Sequence, residues 1–118
     1  MEAATQELAL RYLLELSTDI RLAVLLDQAG ALVAGAPERP NEAIRRLGAE
    51  LTSEARAIAP DQGDPIEIDM AVDGGAIFFV REEGLALLCL TGPFALPGLI
   101  LHDMRIVLND LRRGAYDQ

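Results

Sequence analysis

Two apolar runs in the second half of the chain limit the folds open to it. Ala76–Val80 and Leu85–Leu90 hold almost no polar residue, and only Arg81-Glu82-Glu83-Gly84 lies between them. Strands that are apolar on both sides belong to the interior of a sheet, where both faces are covered. The two runs are therefore expected to be central strands, with helices on both faces of their sheet.

The rest of the chain supplies the other layers. Ala3 to Ser17 reads as a helix, and its apolar residues Leu8, Ala9, Leu10, Tyr12, Leu13, Leu14 and Leu16 cover well over half the circumference. A lone surface helix needs only a stripe of ~100°, so this one should touch a sheet below and another helix beside it. Ile20–Leu26 is an apolar run that ends in Asp27-Gln28-Ala29-Gly30, residues suited to a tight reversal. Ala31–Ala34 returns as a short strand, and Gly35–Pro40 reads as a loop.

Asn41–Ala59 is the clearest helix, bracketed by Pro40 and Pro60, with either Arg39 or Asn41 as its cap. Ile44, Leu47, Leu51, Ala55 and Ile58 fall on one face; Glu42, Arg45, Arg46, Glu50 and Arg56 fall on the other. After a loop at Asp61–Pro65, Ile66, Ile68, Met70 and Val72 alternate with Glu67, Asp69 and Ala71, the period of a half-buried strand. Asp73-Gly74-Gly75 turns the chain into the first central run. Thr91-Gly92-Pro93 breaks the second. Pro97 opens a last helix that Gly114 closes. Ile100, Met104, Val107, Leu108 and Leu111 line its core side; Leu99 and Ile106 would suit a neighbouring helix, the first being the natural candidate. The expected fold is α/β, an α+β sandwich. Its order is helix, two strands, helix, three strands, helix, with a five-stranded antiparallel sheet in one domain over residues 1–118.

Composition narrows the functions. The core must be aliphatic, since aromatics are 4% of 118 residues and Trp is absent. The net charge of -9 opposes binding to phosphate backbones and anionic membrane faces, so neither nucleic acid nor membrane is an expected partner. All ten basic residues are Arg. The P-loop lysine is therefore missing, as is any Schiff-base lysine. The lone Cys89 excludes an internal disulfide, and the start of the chain lacks the pattern of a secretion signal, so a cytoplasmic protein is expected.

The stretches Val24-Leu25-Leu26-Asp27-Gln28-Ala29-Gly30-Ala31-Leu32-Val33-Ala34, Ala76-Ile77-Phe78-Phe79-Val80 and Leu85-Ala86-Leu87-Leu88, with the closing helix from Leu99 to Leu111, occur in an order that resembles the roadblock / dynein light-chain family. Among bacterial members the chain resembles MglB-like proteins. That resemblance implies a homodimer or heterodimer in which the middle helices of two subunits pack together. It also implies that the first strand of the meander pairs with its mate, and that the dimer serves as a platform for a small Ras-like GTPase of the MglA kind. Some such platforms stimulate GTP hydrolysis; others are scaffolds.

The residues suggest where such contacts would fall. The Ile66–Val72 strand is expected at a sheet edge, and a regular edge without Pro invites pairing unless it is covered. Symmetric pairing with a second copy would cover Ile66, Ile68 and Met70; Glu67 and Asp69 also read as guards against unwanted pairing. Gly48 sits mid-helix, at ~1 kcal/mol relative to Ala. It shares a flank with Thr52, Ala55 and Ala59, which reads either as the contact with the partner's middle helix or as a tolerated exposed glycine. Ala49, Ser53 and Ala57 beside Arg45 and Arg46 form the expected docking surface for the GTPase. If hydrolysis is stimulated, the expected route is arrangement of the GTPase's own residues; the alternative is a trans arginine finger, for which Arg39, Arg45 and Arg46 are the candidates.

Catalytic, metal and cofactor-binding residues are not expected. His102, the one His, lies on the polar side of the last helix without a nucleophile beside it. Cys89 reads as a buried structural thiol, and one His with one Cys cannot complete a zinc site. The acidic pairs Glu82-Glu83, Glu67-Asp69 and Asp61-Asp64 read as solvated, and Gly74-Gly75 precedes a strand, unlike a dinucleotide loop. The competing reading is a ligand-sensing module or small α/β enzyme with a pocket between sheet and helices, which would require convergent polar groups in an apolar cavity.

Overall fold

A computed structural model describes residues 3–60 and 65–114, with side chains from Thr5 onward. The expected Asp61-Asp64 pair lies outside the described residues. Eight elements follow one another: α1 (Ala3–Leu16), β1 (Ile20–Leu26), β2 (Leu32–Ala36), α2 (Glu42–Ile58), β3 (Ile66–Val72), β4 (Gly75–Glu82), β5 (Leu85–Thr91) and α3 (Pro97–Arg112).

The strands form one antiparallel sheet of order β2-β1-β5-β4-β3. β5 therefore lies at the centre, between β1 and β4, as its apolar run requires. Val24 faces Leu88 and Leu25 faces Leu87 on one side; Phe79 faces Leu88 and Phe78 faces Cys89 on the other. Alternation sends these side chains to two cores. Ala23, Leu25, Phe78, Val80, Leu87 and Cys89 meet Leu10 and Leu13 of α1 and Met104, Val107 and Leu108 of α3. Val24, Leu26, Phe79, Ala86 and Leu88 meet Leu51 and Ala55 of α2. One sheet face thus carries two helices and the other carries one.

Local chemistry sets the ends. Asn41 is the cap of α2: its side-chain oxygen accepts from the Ile44 N–H at 3.0 Å. Replacing Asn41 with Ala leaves that N–H unmet and is expected to cost about 1 kcal/mol, read as a lower urea midpoint. Asp27 Oδ1 accepts from the Ala29 and Ala31 N–H groups, and Gly30 supplies a φ of +84°. The β4–β5 turn has positive φ at both Glu83 and Gly84, the geometry of a two-residue hairpin loop.

Three expectations need correction. β2 runs to Ala36 rather than ending at Ala34, because Gly35 and Ala36 pair with Val24 and Ala23. Gly35 is not a breaker there. A Cβ on it would stand 2.9 Å from the Glu38 carbonyl oxygen and from Pro40, so the following loop folds back directly over it. β4 continues through Arg81 to Glu82 instead of stopping at Val80. Leu99 and Ile106 are not buried against α1: they are 58% and 39% exposed, and the buried contact between α1 and α3 runs through the core stripes of both helices.

Candidate interaction surface

α2 decides which surface is available. Its buried residues are Gly48, Leu51, Thr52 and Ala55, so the helix lies on the sheet along this line. A Cβ at Gly48 would stand 2.9 Å from Leu26 Cδ1. Gly30, in the β1–β2 turn, approaches so closely that a Cβ there would lie 3.0 Å from Thr52 Cβ and 3.1 Å from Ala49 Cα. Arg56 donates to the Gln28 carbonyl oxygen at 2.7 Å on the same side. The small flank is small because the chain's own hairpin presses on it.

This corrects the expected dimer contact. Gly48, Thr52 and Ala55 are covered within one chain, and Thr52 spends its hydroxyl on the Gly48 carbonyl oxygen at 2.8 Å. Ala59 is half-buried at the C-terminal cap, where its carbonyl oxygen accepts from Arg81 at 3.0 Å. The open flank of α2 is the aliphatic one. Leu47 is half-buried, and Ile58, expected in the core, is 65% exposed. Leu47, Leu51 and Met70 line one furrow of about 360 Å³ between α2 and β3. A second, of about 350 Å³, is bounded by Ile44, Val72, Ile77 and Leu90.

The Ile66, Ile68 and Met70 row points to this same face and is half-buried. β3 is the last strand of the sheet on its side. Of its two acids, Glu67 pairs with Arg105 of α3, and Asp69 is exposed. Glu82 and Glu83 both reach Arg112, so these two acids, Glu83 exposed as expected, also tie α3 to the sheet. The opposite edge, β2, is flanked by α1, with Arg11 donating to the Pro37 carbonyl oxygen at 3.4 Å. The sheet edge that remains regular and uncovered among the described residues is β3.

The second predicted surface is exposed as a group. Arg45, Arg46, Ala49, Ser53 and Ala57 all lie on the outward side of α2, and Arg46 makes a 3.8 Å pair with Glu42. Arg45, Arg46 and Ala49 border a shallow recess with Gly30, Ala31 and Leu32. Arg39 is exposed as well.

Catalytic features do not converge here. His102 is exposed and Cys89 is buried, where desolvation pushes its thiol well above the usual range and away from the reactive thiolate. Among the described residues no group of three or more His, Cys, Asp or Glu is arranged to hold a metal, and no helix is long and apolar enough to cross a membrane. Ser17, Thr52, Arg81 and Thr91, the buried polar residues, each bond within the chain. Arg81 is the feature that sequence reading missed. It follows an apolar run and looks like a turn residue, yet it lies 2% exposed beneath the end of α2 and donates to the carbonyl oxygen of its C-cap, Ala59.

Neither a family model nor a curated protein sequence matches the chain. Solved structures do. The Roadblock/LC7 domain from Streptomyces avermitilis superposes with a TM-score of 0.73 at 18% identity, over 91% of this chain and 94% of that one. MglB from Myxococcus xanthus gives 0.74 at 11% identity, over 99% and 93%. The chain has the roadblock/LC7 fold. A further MglB, solved in a tetrameric arrangement, matches at 0.71 and 22% identity over 96% and 91%. The roadblock fold accounts for the layer asymmetry: three helices are divided two and one across a five-stranded sheet.

Proposed function

We propose that this chain is a single roadblock-like domain, spanning residues 1–118, that self-associates through α2 and β3 and works in the cytoplasm as a non-enzymatic platform for a small Ras-like GTPase. The observation that carries the first part is the pairing of an open edge strand with an aliphatic helix flank. Leu47 of α2 packs with the row Ile66, Ile68 and Met70 of β3, and Ile58, three helical turns after Leu47, stands exposed on the same flank. A second copy related by a two-fold axis matches such a surface with itself and supplies the missing cover for the one-helix face. The fold shared with MglB proteins, among them one with a tetrameric arrangement, supports this reading.

The GTPase part rests on the resemblance to MglB-like proteins and on the outer face of α2. Arg45 and Arg46 offer charge there, while Ala49, Ser53 and Ala57 leave room for another surface to come near. Arg39, Arg45 and Arg46 are the available trans arginines if hydrolysis is stimulated. The test begins with light scattering, where a mass near twice 12.7 kDa is expected. Co-elution with a purified MglA-type GTPase follows, in each nucleotide state. The double variant R45E/R46E should weaken that association about tenfold while leaving the mass unchanged. A dimer that binds the GTPase in neither state would remove the GTPase part, and a monomer would remove both.

A further inference from the structure

The opposite end of the molecule carries an apolar patch that the proposed dimer and GTPase surfaces leave unused. At the C-terminal end of α1, Leu16 is 43% exposed; at the start of α3, Leu96 and Leu99 are 62% and 58% exposed. The three line one recess of about 290 Å³, with buried Ile100 among its walls. Phe94, 85% exposed, precedes Leu96 by two residues. Its loop begins beside the α1–β1 junction, where the Gly92 N–H donates to the Asp19 carbonyl oxygen at 3.0 Å. Large apolar side chains gathered in this way mark a contact surface.

The rim is acidic. Asp19 and Asp103 border the recess, and Glu15 is exposed in α1 next to Leu16. Asp103 is held in place by the Ser17 hydroxyl, which donates to it at 2.7 Å. The nearby base Arg21 serves the other sheet face, where it lines the furrow with Ile44 and Ile77.

We propose that this patch is a docking site for a basic amphipathic helix of a partner protein. Aliphatic side chains of that helix would seat among Leu16, Leu96 and Leu99, and its Arg or Lys residues would meet Asp19 and Asp103. Charge decides against the other occupants. A second copy would bring its own Asp19 and Asp103 to the same seam, like charge against like. An anionic bilayer is repelled by the rim and by the net charge of -9. Because the recess lies on the α1/α3 face, it stays open when α2 and β3 are occupied.

The probe is a short, labelled model helix of leucine and lysine, with a leucine–glutamate helix as its counterpart. The leucine–lysine helix is expected to bind the intact chain saturably, more weakly as salt is added. It should shift the NMR signals of Leu16, Leu96, Leu99 and Asp103; the glutamate helix should not bind. The variant L96S/L99S changes side chains already in water, so it should melt like the parent yet bind the probe about tenfold more weakly. D19R should weaken binding similarly, and it keeps the test open if the serine variant fails to fold. Unchanged probe affinity in both variants, or shifts confined to α2 and β3, would overturn the proposal. So would a lower solution mass of L96S/L99S, which identifies a second copy as the occupant, or tight binding of the parent to phosphatidylserine vesicles that L96S/L99S loses.

Discussion

Gly48→Leu is expected to destabilise the folded chain by about 3 kcal/mol, the upper part of the range for overpacking a filled core. The cause lies inside one subunit. A Cβ at this position already stands 2.9 Å from one Leu26 methyl and 3.3 Å from the other, and Leu26 is 1% exposed. The rest of a leucine side chain has to displace Leu26 or lift α2 from the sheet. Gly48→Ala is the control. It gains helix propensity of about 1 kcal/mol and asks Leu26 methyls to move by tenths of an ångström, so it should melt near the parent. Urea unfolding of both variants checks this. Parent-like stability of the leucine variant together with a halved mass would return Gly48 to an intermolecular flank.

Ile58→Asp should do the opposite: little to the subunit and much to the assembly. Ile58 is 65% exposed in the isolated chain, so a carboxylate there costs the fold almost nothing. In a contact built on the aliphatic flank of α2, the same carboxylate would be buried without a partner. Self-association is then expected to weaken about a hundredfold, equivalent to about 3 kcal/mol. Sedimentation over a dilution series reads that change, with circular dichroism to verify the fold. A variant that associates as tightly as the parent would place the contact elsewhere than on α2.

The two variants also mark how far the sequence could be read. Element order, the central place of Leu85–Leu90 and the edge position of Ile66–Val72 were all legible, because periodicity and Gly/Pro punctuation act locally. The small flank of α2 was visible too, but its meaning was not. Small residues at helical spacing say that something comes close, and only the tertiary path of the Asp27–Gly30 turn says that the visitor is the same chain. Arg81 was illegible for a related reason. A charged residue after an apolar run looks like the strand's end, unless the Ala59 carbonyl at a distant helix end is known to wait for it. Ile58, Leu99 and Ile106 mislead in the other direction: they follow the core stripes of their helices, or flank them, at places where the sheet no longer lies beneath.

The position of β5 has a consequence for how the molecule comes into being. Its partners are β4, one turn earlier, and β1, separated from it by β2, α2, β3 and β4. The hairpin of β1 and β2 therefore leaves the ribosome with an open inner edge, from Ile20 to Leu26, that stays open until Leu85–Thr91 has been made. Closing so long a loop before any reward in pairing slows folding, and the waiting edge is rich in Leu and Val. The strand that completes the sheet last is also the one that protects the nascent chain from pairing with its neighbours.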